Sequence, residues 1–345
     1  ELLMLGTTEW SSIGSRKNVG ESLTLPTRLA ALQGVQVARV AAGCGAAHVL
    51  ALDVAGKVYA WGRNDLGQLG LGFQNEGRTT PSLVQGLPAG KRVIAIAAGK
   101  KHSAVVTAGG QSFLWGSNAN GQLGTGSCVV KKNHVDCKTS PVAAKVAAKV
   151  AAVACGAEFS LWLCGGDVFS AGTPEHGVLG HGADLKYIER AGREVFPPQP
   201  DPRLVAGLSK ISKICCGSTH SLAVTEEGHC FSWGSGSYGK LGHKEQKDEF
   251  RPRRIEVFKD RFALPPDALI ACGDNSNFAT VFQRQLMFWG KMMPNSEATM
   301  YPKLHEGLSG WTIRHVDCGY ATAAVCAEES SVSWGQAHHQ EVRAG

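Results

Sequence analysis

Val93-Ile-Ala-Ile-Ala-Ala-Gly99-Lys-Lys-His102-Ser-Ala-Val-Val-Thr107 leads, after five residues, into Phe113-Leu-Trp115-Gly116-Ser-Asn-Ala-Asn-Gly121-Gln-Leu-Gly124. The phrase returns as Ile211-Ser-Lys-Ile-Cys-Cys-Gly217-Ser-Thr-His220-Ser-Leu-Ala-Val-Thr225, with Phe231-Ser-Trp233-Gly234 and Gly239-Lys-Leu-Gly242. An earlier copy reads Val40-Ala-Ala-Gly43, His48, Tyr59-Ala-Trp61-Gly62 and Gly67-Gln-Leu-Gly70. A weaker one reads Val153-Ala-Cys-Gly156, Phe159-Ser, Phe169-Ser-Ala-Gly172 and Gly177-Val-Leu-Gly180. The glycine after the aromatic position marks the period: Gly6, Gly62, Gly116, Gly172, Gly234, Gly290 and Gly335 stand 56, 54, 56, 62, 56 and 45 residues apart. A repeat of about 50 residues is in the range of propeller blades rather than helical solenoids.

Each unit reads as short strands. Ile-Ala-Ile and Ser-Leu-Ala-Val-Thr are rich in β-formers and bounded by glycine. Phe-Ser-Trp-Gly ends a third strand, and Gly-Gln-Leu-Gly forms the turn after it. A fourth strand is expected around Pro81-Ser-Leu-Val84, Arg253-Arg-Ile-Glu-Val257 and Tyr301-Pro-Lys-Leu304. Four-stranded sheets repeated radially leave only short edges. The sequence therefore predicts an all-β, seven-bladed β-propeller as a single domain over residues 1–345, with insertion loops at about 125–141, 183–208 and 243–266. Trp61, Trp115, Trp233, Trp289 and Trp334 are expected to pack between blades, where large rings fill the wedge between twisted sheets. Only Ala143-Ala-Lys-Val-Ala-Ala-Lys-Val150 has helical spacing; from Val150 onward the repeat takes precedence. The first unit begins at Leu3 without its preceding half, and the last ends at Gly335, so closing strands are expected beyond Gly345.

Composition agrees. The 43 glycines among 345 residues, about an eighth of the chain, exceed the usual share of roughly 7% and fit many tight turns. The formal charge of +6 permits acidic proteins, nucleic acid or anionic surfaces as partners without choosing among them. No apolar run is long enough to span a bilayer, and no secretory n- and h-region pattern is present. The eleven cysteines form no Cys-x-x-Cys pair, and Cys155, Cys216, Cys272 and Cys318 each precede a glycine at one repeat position. They read as small core residues in a reducing compartment.

The recurring Cys/Ala-Gly-x-x-His-Ser and Trp-Gly-x-Asn-x-x-Gly-Gln-Leu-Gly phrases resemble the regulator of chromosome condensation repeat family, whose members are seven-bladed propellers. Cys155-Gly-Ala-Glu-Phe-Ser160, Thr173-Pro-Glu-His-Gly-Val-Leu-Gly-His181, Gly239-Lys-Leu-Gly-His-Lys-Glu-Gln-Lys-Asp-Glu249 and Glu297-Ala-Thr-Met-Tyr-Pro-Lys303 are similar to one branch of it. Leu3-Met-Leu-Gly-Thr-Thr-Glu-Trp-Ser-Ser-Ile-Gly14 fits the start of that branch. Departures are Ala171 in place of the aromatic, a sixth unit without Gly-Gln-Leu-Gly, and a drifted text after Gly335. The resemblance implies a mitotic and cytoskeletal regulator that binds small GTPases of the Rho or Ral type. Guanine nucleotide exchange is the activity implied, in the nucleus or at the cytoskeleton. Fold alone does not fix such a function.

No catalytic constellation is legible: no Ser/His/Asp, Cys/His or paired-carboxylate spacing stands out, and neither a cofactor nor a metal is expected. His48, His102 and His220 occupy one position of successive blades, which spreads them around a ring and points to structural hydrogen bonding. Gly234-Ser-Gly236-Ser-Tyr-Gly239 matches a dinucleotide fingerprint in letters only, since no helix start follows. Cys128, His134 and Cys137 fall one short of a zinc ligand set. Partner contact is assigned to two basic segments: Lys131 and Lys132 in the first insertion, and Lys247, Arg251, Arg253 and Arg254 in the densest charge run. A solvated loop is the competing reading of that run, and the Pro-rich 183–208 insertion is a further candidate contact loop. The alternatives to a GTPase regulator are a constitutive subunit of a microtubule, axonemal or ribonucleoprotein assembly and, more remotely, a chromatin-binding protein with steep salt dependence.

Overall fold

The computed structural model describes every residue except 8–21, 132–133, 184, 190–191, 193, 293–294 and 336–345. Five consecutive antiparallel sheets have four strands each, in sequence order from first to outer. Blade 1 is Val37–Ala41, His48–Asp53, Val58–Gly62 and Arg78–Leu83. Blade 2 is Val93–Ala98, His102–Thr107, Ser112–Ser117 and Cys137–Ala143. Blade 3 is Ala152–Cys155, Phe159–Cys164, Asp167–Gly172 and Gln199–Leu204. Blade 4 is Ile211–Cys216, His220–Thr225, Cys230–Gly234 and Glu249–Arg254. Blade 5 is Ile270–Cys272, Ser276–Thr280, Leu286–Gly290 and Thr299–Leu304. Blade 6 has three strands, Ile313–Cys318, Thr322–Ala327 and Ser331–Gly335.

The chain is thus an all-β propeller, but six blades stand among the described residues where the repeat count predicts seven. The remaining unit supplies only Leu3–Thr7 paired with Ser22–Arg28. This pair carries the marks of a third and outer strand: Gly6 at φ 104, a register irregularity between Met4 and Gly6, and Pro26 in the outer member. No first or second strand joins it among the described residues.

First strands converge on an axis. Cys44 Sγ of blade 1 lies 3.2 Å from Ser218 Oγ of blade 4 and 3.7 Å from the Gly319 carbonyl of blade 6. The glycine after each first strand is dictated by this approach. A Cβ on Gly43 would sit 1.5 Å from the Ala98 carbonyl oxygen; on Gly99, 2.5 Å from that of Gly156; on Gly217, 2.4 Å from that of Gly273. Any side chain there would force neighbouring blades apart.

The apolar core is divided into wedges between adjacent sheets. Leu50, Leu52, Val105 and Trp115 fill the wedge between blades 1 and 2; Val106, Leu123, Val153 and Trp162 fill the next. Four further clusters lie between the other neighbours, including Trp61 with Leu2 and Met4 of the two-stranded pair. Cys155, Cys216, Cys272 and Cys318 are all buried in these wedges. At the rim, Pro81, Pro141, Pro202, Pro252 and Pro302 stand in the outer strands, where a missing N–H and a local irregularity discourage pairing with another chain.

Outer strands fall inside the segments expected as insertions. Cys137–Ala143, Gln199–Leu204 and Glu249–Arg254 each complete a sheet. In blade 4 the outer strand precedes the position expected for it, because Ile255 is fully buried and starts the crossover. Ala143–Val150 is not helical: Ala144 N–H bonds the Ser112 carbonyl and Val150 N–H that of Gly110, which commits the segment to a crossover. Among the described residues, no helix is long and apolar enough to cross a membrane.

The antiparallel order sends two loop sets to opposite faces. Loops from first to second strand and from third to outer strand share one face, tied by Ser117 N–H to Lys101 O at 2.8 Å and Ser235 N–H to Thr219 O at 2.8 Å. Two small hairpins rise from this face, Val130–Lys131 with His134–Val135 and Tyr187–Ile188 with Glu194–Val195. Turns from second to third strand and the blade crossovers occupy the other face.

Gly99→Val should therefore cost on the order of 3 kcal/mol by overpacking the hub, while Gly109→Ala, where a Cβ meets only Thr107 Oγ1 at 3.9 Å, should change little. Thermal unfolding followed by circular dichroism compares them; equal melting temperatures for the two variants would contradict the hub constraint.

Candidate functional site

The repeat residues first form a structural latch. The Gln68 carbonyl, in the Gly-Gln-Leu-Gly turn of blade 1, accepts from Ser103 Oγ at 2.8 Å and from Trp115 Nε1 at 2.8 Å, both in blade 2. Ser103 has one proton and gives it to that carbonyl. Its oxygen must then accept from His48, whose Nε2 lies 2.8 Å away, so Nε2 carries a proton, and burial, which lowers the pKa to about 4, keeps the ring neutral. His102, Ser160 and the Gln122 carbonyl repeat this between blades 2 and 3 at 2.9 and 2.8 Å. Between blades 4 and 5, His220 Nε2 donates to Asn277 Oδ1 at 2.6 Å, while Asn277 Nδ2 and Trp289 Nε1 both donate to the Lys240 carbonyl. Phe159 stands at the histidine position of blade 3, and Ser221 and Trp233 there share the Val178 carbonyl.

Two further histidines close turns within their own blades. His181 Nε2 lies 2.8 Å from Ser170 Oγ, which donates to the Leu179 carbonyl; His243 stands likewise 2.9 Å from Ser232 Oγ, which donates to Leu241. Their signal was in the sequence, as Leu-Gly-His where blades 1 and 2 have Leu-Gly-Leu and Leu-Gly-Thr. Burial holds His48 near a pKa of about 4 and His102 and His220 near about 3. His181 and His243 are likewise lowered to about 4, by burial first and then by Arg203 and Arg253 respectively.

Trp61, Trp115, Trp233 and Trp289 are all buried between blades, though Trp61 Nε1 lacks an acceptor among the described residues. Trp334 is half-buried and meets Phe278 edge-on, with centroids 5.6 Å apart. Ala171 leaves the aromatic position of blade 3 empty, and Trp162 on the adjacent strand fills the space. Its indole is fully buried, donates to Ser112 Oγ at 3.1 Å, and lies where a Cβ on Gly124 would be 2.7 Å away. Gly70 stands against Trp115 in the same manner. The ring changes strands but occupies the same wedge.

The basic residues chosen from the sequence are not brought into one patch. Arg253 is held by Glu245 and, at 2.7 Å, by Glu249, and these hydrogen bonds raise its pKa. The Arg251 guanidinium lies along Gly182 of blade 3. Arg254 is half-buried in the outer strand; Lys247 is exposed on the loop before it. Asp248 in the same run bonds His176 at 2.8 Å and the Gly236 N–H at 2.9 Å. Lys131 lies in the blade 2 hairpin strand, with its side chain outside the described residues, as is Lys132. Cys128 and Cys137 are free thiols, Cys137 bonding Gln74 Oε1 at 2.9 Å. The Gly234–Gly239 phrase ends in a short 3-10 turn, Ser237–Gly239.

What the sequence did not single out is Lys240, in the turn position held by Gln68 and Gln122 elsewhere. It is 3% exposed and donates from Nζ to Thr219 Oγ1 at 2.9 Å and Asn275 Oδ1 at 3.0 Å. Burial lowers its pKa and Asp274 opposes that, so a cation crosses the boundary of blades 4 and 5 where an amide serves in other blades. The other missed feature is apolar. On the hairpin face Val129, Val135, Leu185, Tyr187 and Ile188 are all exposed, Ile188 by 71%.

The buried imidazoles set an acid response. An unfolded histidine takes up a proton near pH 6.5, whereas the folded ones resist until pH 3–4. Their stabilisation is full above pH 6.5 and declines as pH falls toward 4. Urea midpoints measured at pH 7 and pH 5 should show the loss, and His102→Gln with His220→Gln, which keep a donor without a titrating ring, should shrink the difference. An unchanged pH dependence in that double variant would refute the assignment.

The profile of the RCC1-like domain matches residues 1–345. Protein RCC2 homolog of Danio rerio is 38% identical over 361 residues, covering 97% of this chain and 71% of that protein. Protein RCC2 of Homo sapiens is 37% identical over 360 residues, covering 97% and 67%. Prp20p of Saccharomyces cerevisiae superposes with a TM-score of 0.74 at 21% identity, covering 99% of this chain and 82% of that one, which speaks to the fold alone. By profile, identity and blade geometry together, the chain belongs to the RCC1-like domain family.

Proposed function

We propose that this chain is a protein-interaction propeller of the mitotic and cytoskeletal regulator kind, engaging a small GTPase through its hairpin face. The observation that carries this reading is the pair of hairpins with exposed apolar side chains, Val129 and Val135 on blade 2 and Leu185, Tyr187 and Ile188 on blade 3. Exposed apolar groups raised on a rigid ring suit burial against a partner. Similarity to RCC2 proteins supports the regulator class. Prp20p, one of the fold neighbours, has binding properties toward Gsp1p and histones.

In this reading the Leu3–Thr7 and Ser22–Arg28 pair is the outer half of a seventh blade in one propeller domain. The partner is a GTPase of the Rho or Ral type, met in the nucleus or at the cytoskeleton. A hairpin wedged beside the nucleotide would lower nucleotide affinity and act as exchange. No bond is made or broken in that step, so it needs no acid–base residue. Immobilised chain should retain a Rho-, Ral- or Ran-type GTPase and speed release of its labelled nucleotide. Ile188→Asp should weaken retention about tenfold, by putting a charge into a desolvated contact. Failure to retain any of these GTPases would remove the GTPase reading; retention without faster release would remove exchange alone.

A further inference from the structure

A conformational anomaly marks the boundary of blades 4 and 5. After each Gly-x-Leu-Gly turn the chain bonds the next blade's outer strand through one N–H: Gly72 to Thr139 O, Gly126 to Pro200 O, Gly182 to Phe250 O, and Lys244 to Met300 O, at 2.8–3.0 Å. All four residues are left-handed, with φ of 85, 77, 92 and 67. Three are glycine, which adopts this conformation freely; the fourth is lysine, whose Cβ makes it unfavourable. The bond itself needs no side chain, so it does not account for the lysine at this position.

Its surroundings are cationic and aromatic. Lys244 Nζ lies 5.4 Å and Lys303 Nζ 5.0 Å from the centroid of the Tyr301 ring. Nearer the hub, Lys291 Nζ lies 5.2 Å from the centroid of Tyr238, an exposed tyrosine that is also left-handed, at φ 60. Among the described residues no carboxylate pairs with Lys244, Lys247, Lys291 or Lys303. The carboxylates of the neighbouring loop are committed: Glu245 and Glu249 to Arg253, Asp248 to His176 and Gly236. Glu297, ahead of the blade 5 outer strand, joins none of these lysines in an ion pair.

We propose that this strip binds an acidic protein segment, its carboxylates taken by Lys244, Lys303 and Lys291 beside the rings of Tyr301 and Tyr238. Charge complementarity selects an anion. The tyrosines favour protein over nucleic acid, because ammonium groups 5.0–5.4 Å from the ring centroids compete for the faces on which bases would stack. The strip is separate from the blade 2 and 3 hairpins and does not rest on them.

The test measures fluorescence anisotropy of a labelled oligoglutamate peptide with the whole chain, beside oligodeoxythymidine of the same length. The peptide should bind more tightly than the oligonucleotide. Lys244→Glu with Lys303→Glu should weaken peptide binding about tenfold or more, as expected for lost charge-assisted contacts. Lys57→Glu, on the opposite face, and Ile188→Asp should leave it within about twofold. Lys244→Gly is the sharper variant: it should melt at or above the parent temperature, since glycine suits the left-handed turn, and still bind the peptide several-fold more weakly. No peptide binding by the parent chain, equal loss in Lys57→Glu, or oligothymidine bound as tightly as the peptide would overturn the proposal. So would a Lys244→Gly chain that melts lower and binds unchanged, since that lysine would then serve the fold.

Discussion

Everything in this propeller depends on how closely first strands meet at the axis. Backbone carbonyls of the next blade occupy the space where the Cβ of a blade's glycine would stand, 1.5 Å away at Gly43 and 2.5 Å at Gly99. That approach fixes the inner radius, and the inner radius fixes the angle at which sheets splay. The wedge so opened is filled by an indole at successive interfaces: Trp115, Trp162, Trp233 and Trp289 are all fully buried. A wider hub would leave those rings short of the acceptors they meet, carbonyls for Trp115, Trp233 and Trp289 and the Ser112 hydroxyl for Trp162.

The latches convert this packing into register. One turn carbonyl, Gln68 or Lys240, takes two donors from the following blade, and a neutral imidazole supplies the remaining proton. The turn carbonyl, the serine or asparagine side chain and the imidazole Nε2 of this set are therefore satisfied across sheets, a requirement that apolar packing alone does not impose, while Nδ1 of His48, His102 and His220 has no partner among the described residues. Where the histidine is replaced by Phe159, the serine and tryptophan still share the Val178 carbonyl.

Repeat text made most of this legible, because a blade has few ways to answer the same contacts. His48, His102, His220 and the Trp-Gly phrases recur since each blade faces the same neighbour. The sequence was less readable wherever one interface answered with a different atom. Trp162 does the work expected of position 171 from the adjacent strand, and strand-by-strand alignment cannot see such an exchange. Arg253 reads as a contact residue in the linear charge run, yet Glu245 and Glu249, within eight residues of it, neutralise it once the chain turns. Lys244 reads as one more charge in that run; only its left-handed backbone, shared with glycines of three other blades, sets it apart. The repeat marks predict seven blades, whereas six stand among the described residues, because only a strand pair carries the first mark there.

The division of the core into wedges has a consequence for how this molecule tolerates change. Among the described residues the core has no single hydrophobic centre whose loss is felt everywhere; each cluster joins two sheets and ends there. Energetically the ring is a string of nearest-neighbour couplings. Variation in a loop of blade 3 is buffered from blade 5 by the two wedges between them, so separate sectors of one disc are free to acquire unrelated binding specificities. A scaffold of this kind diversifies by sector, holding its axis constant while its faces drift.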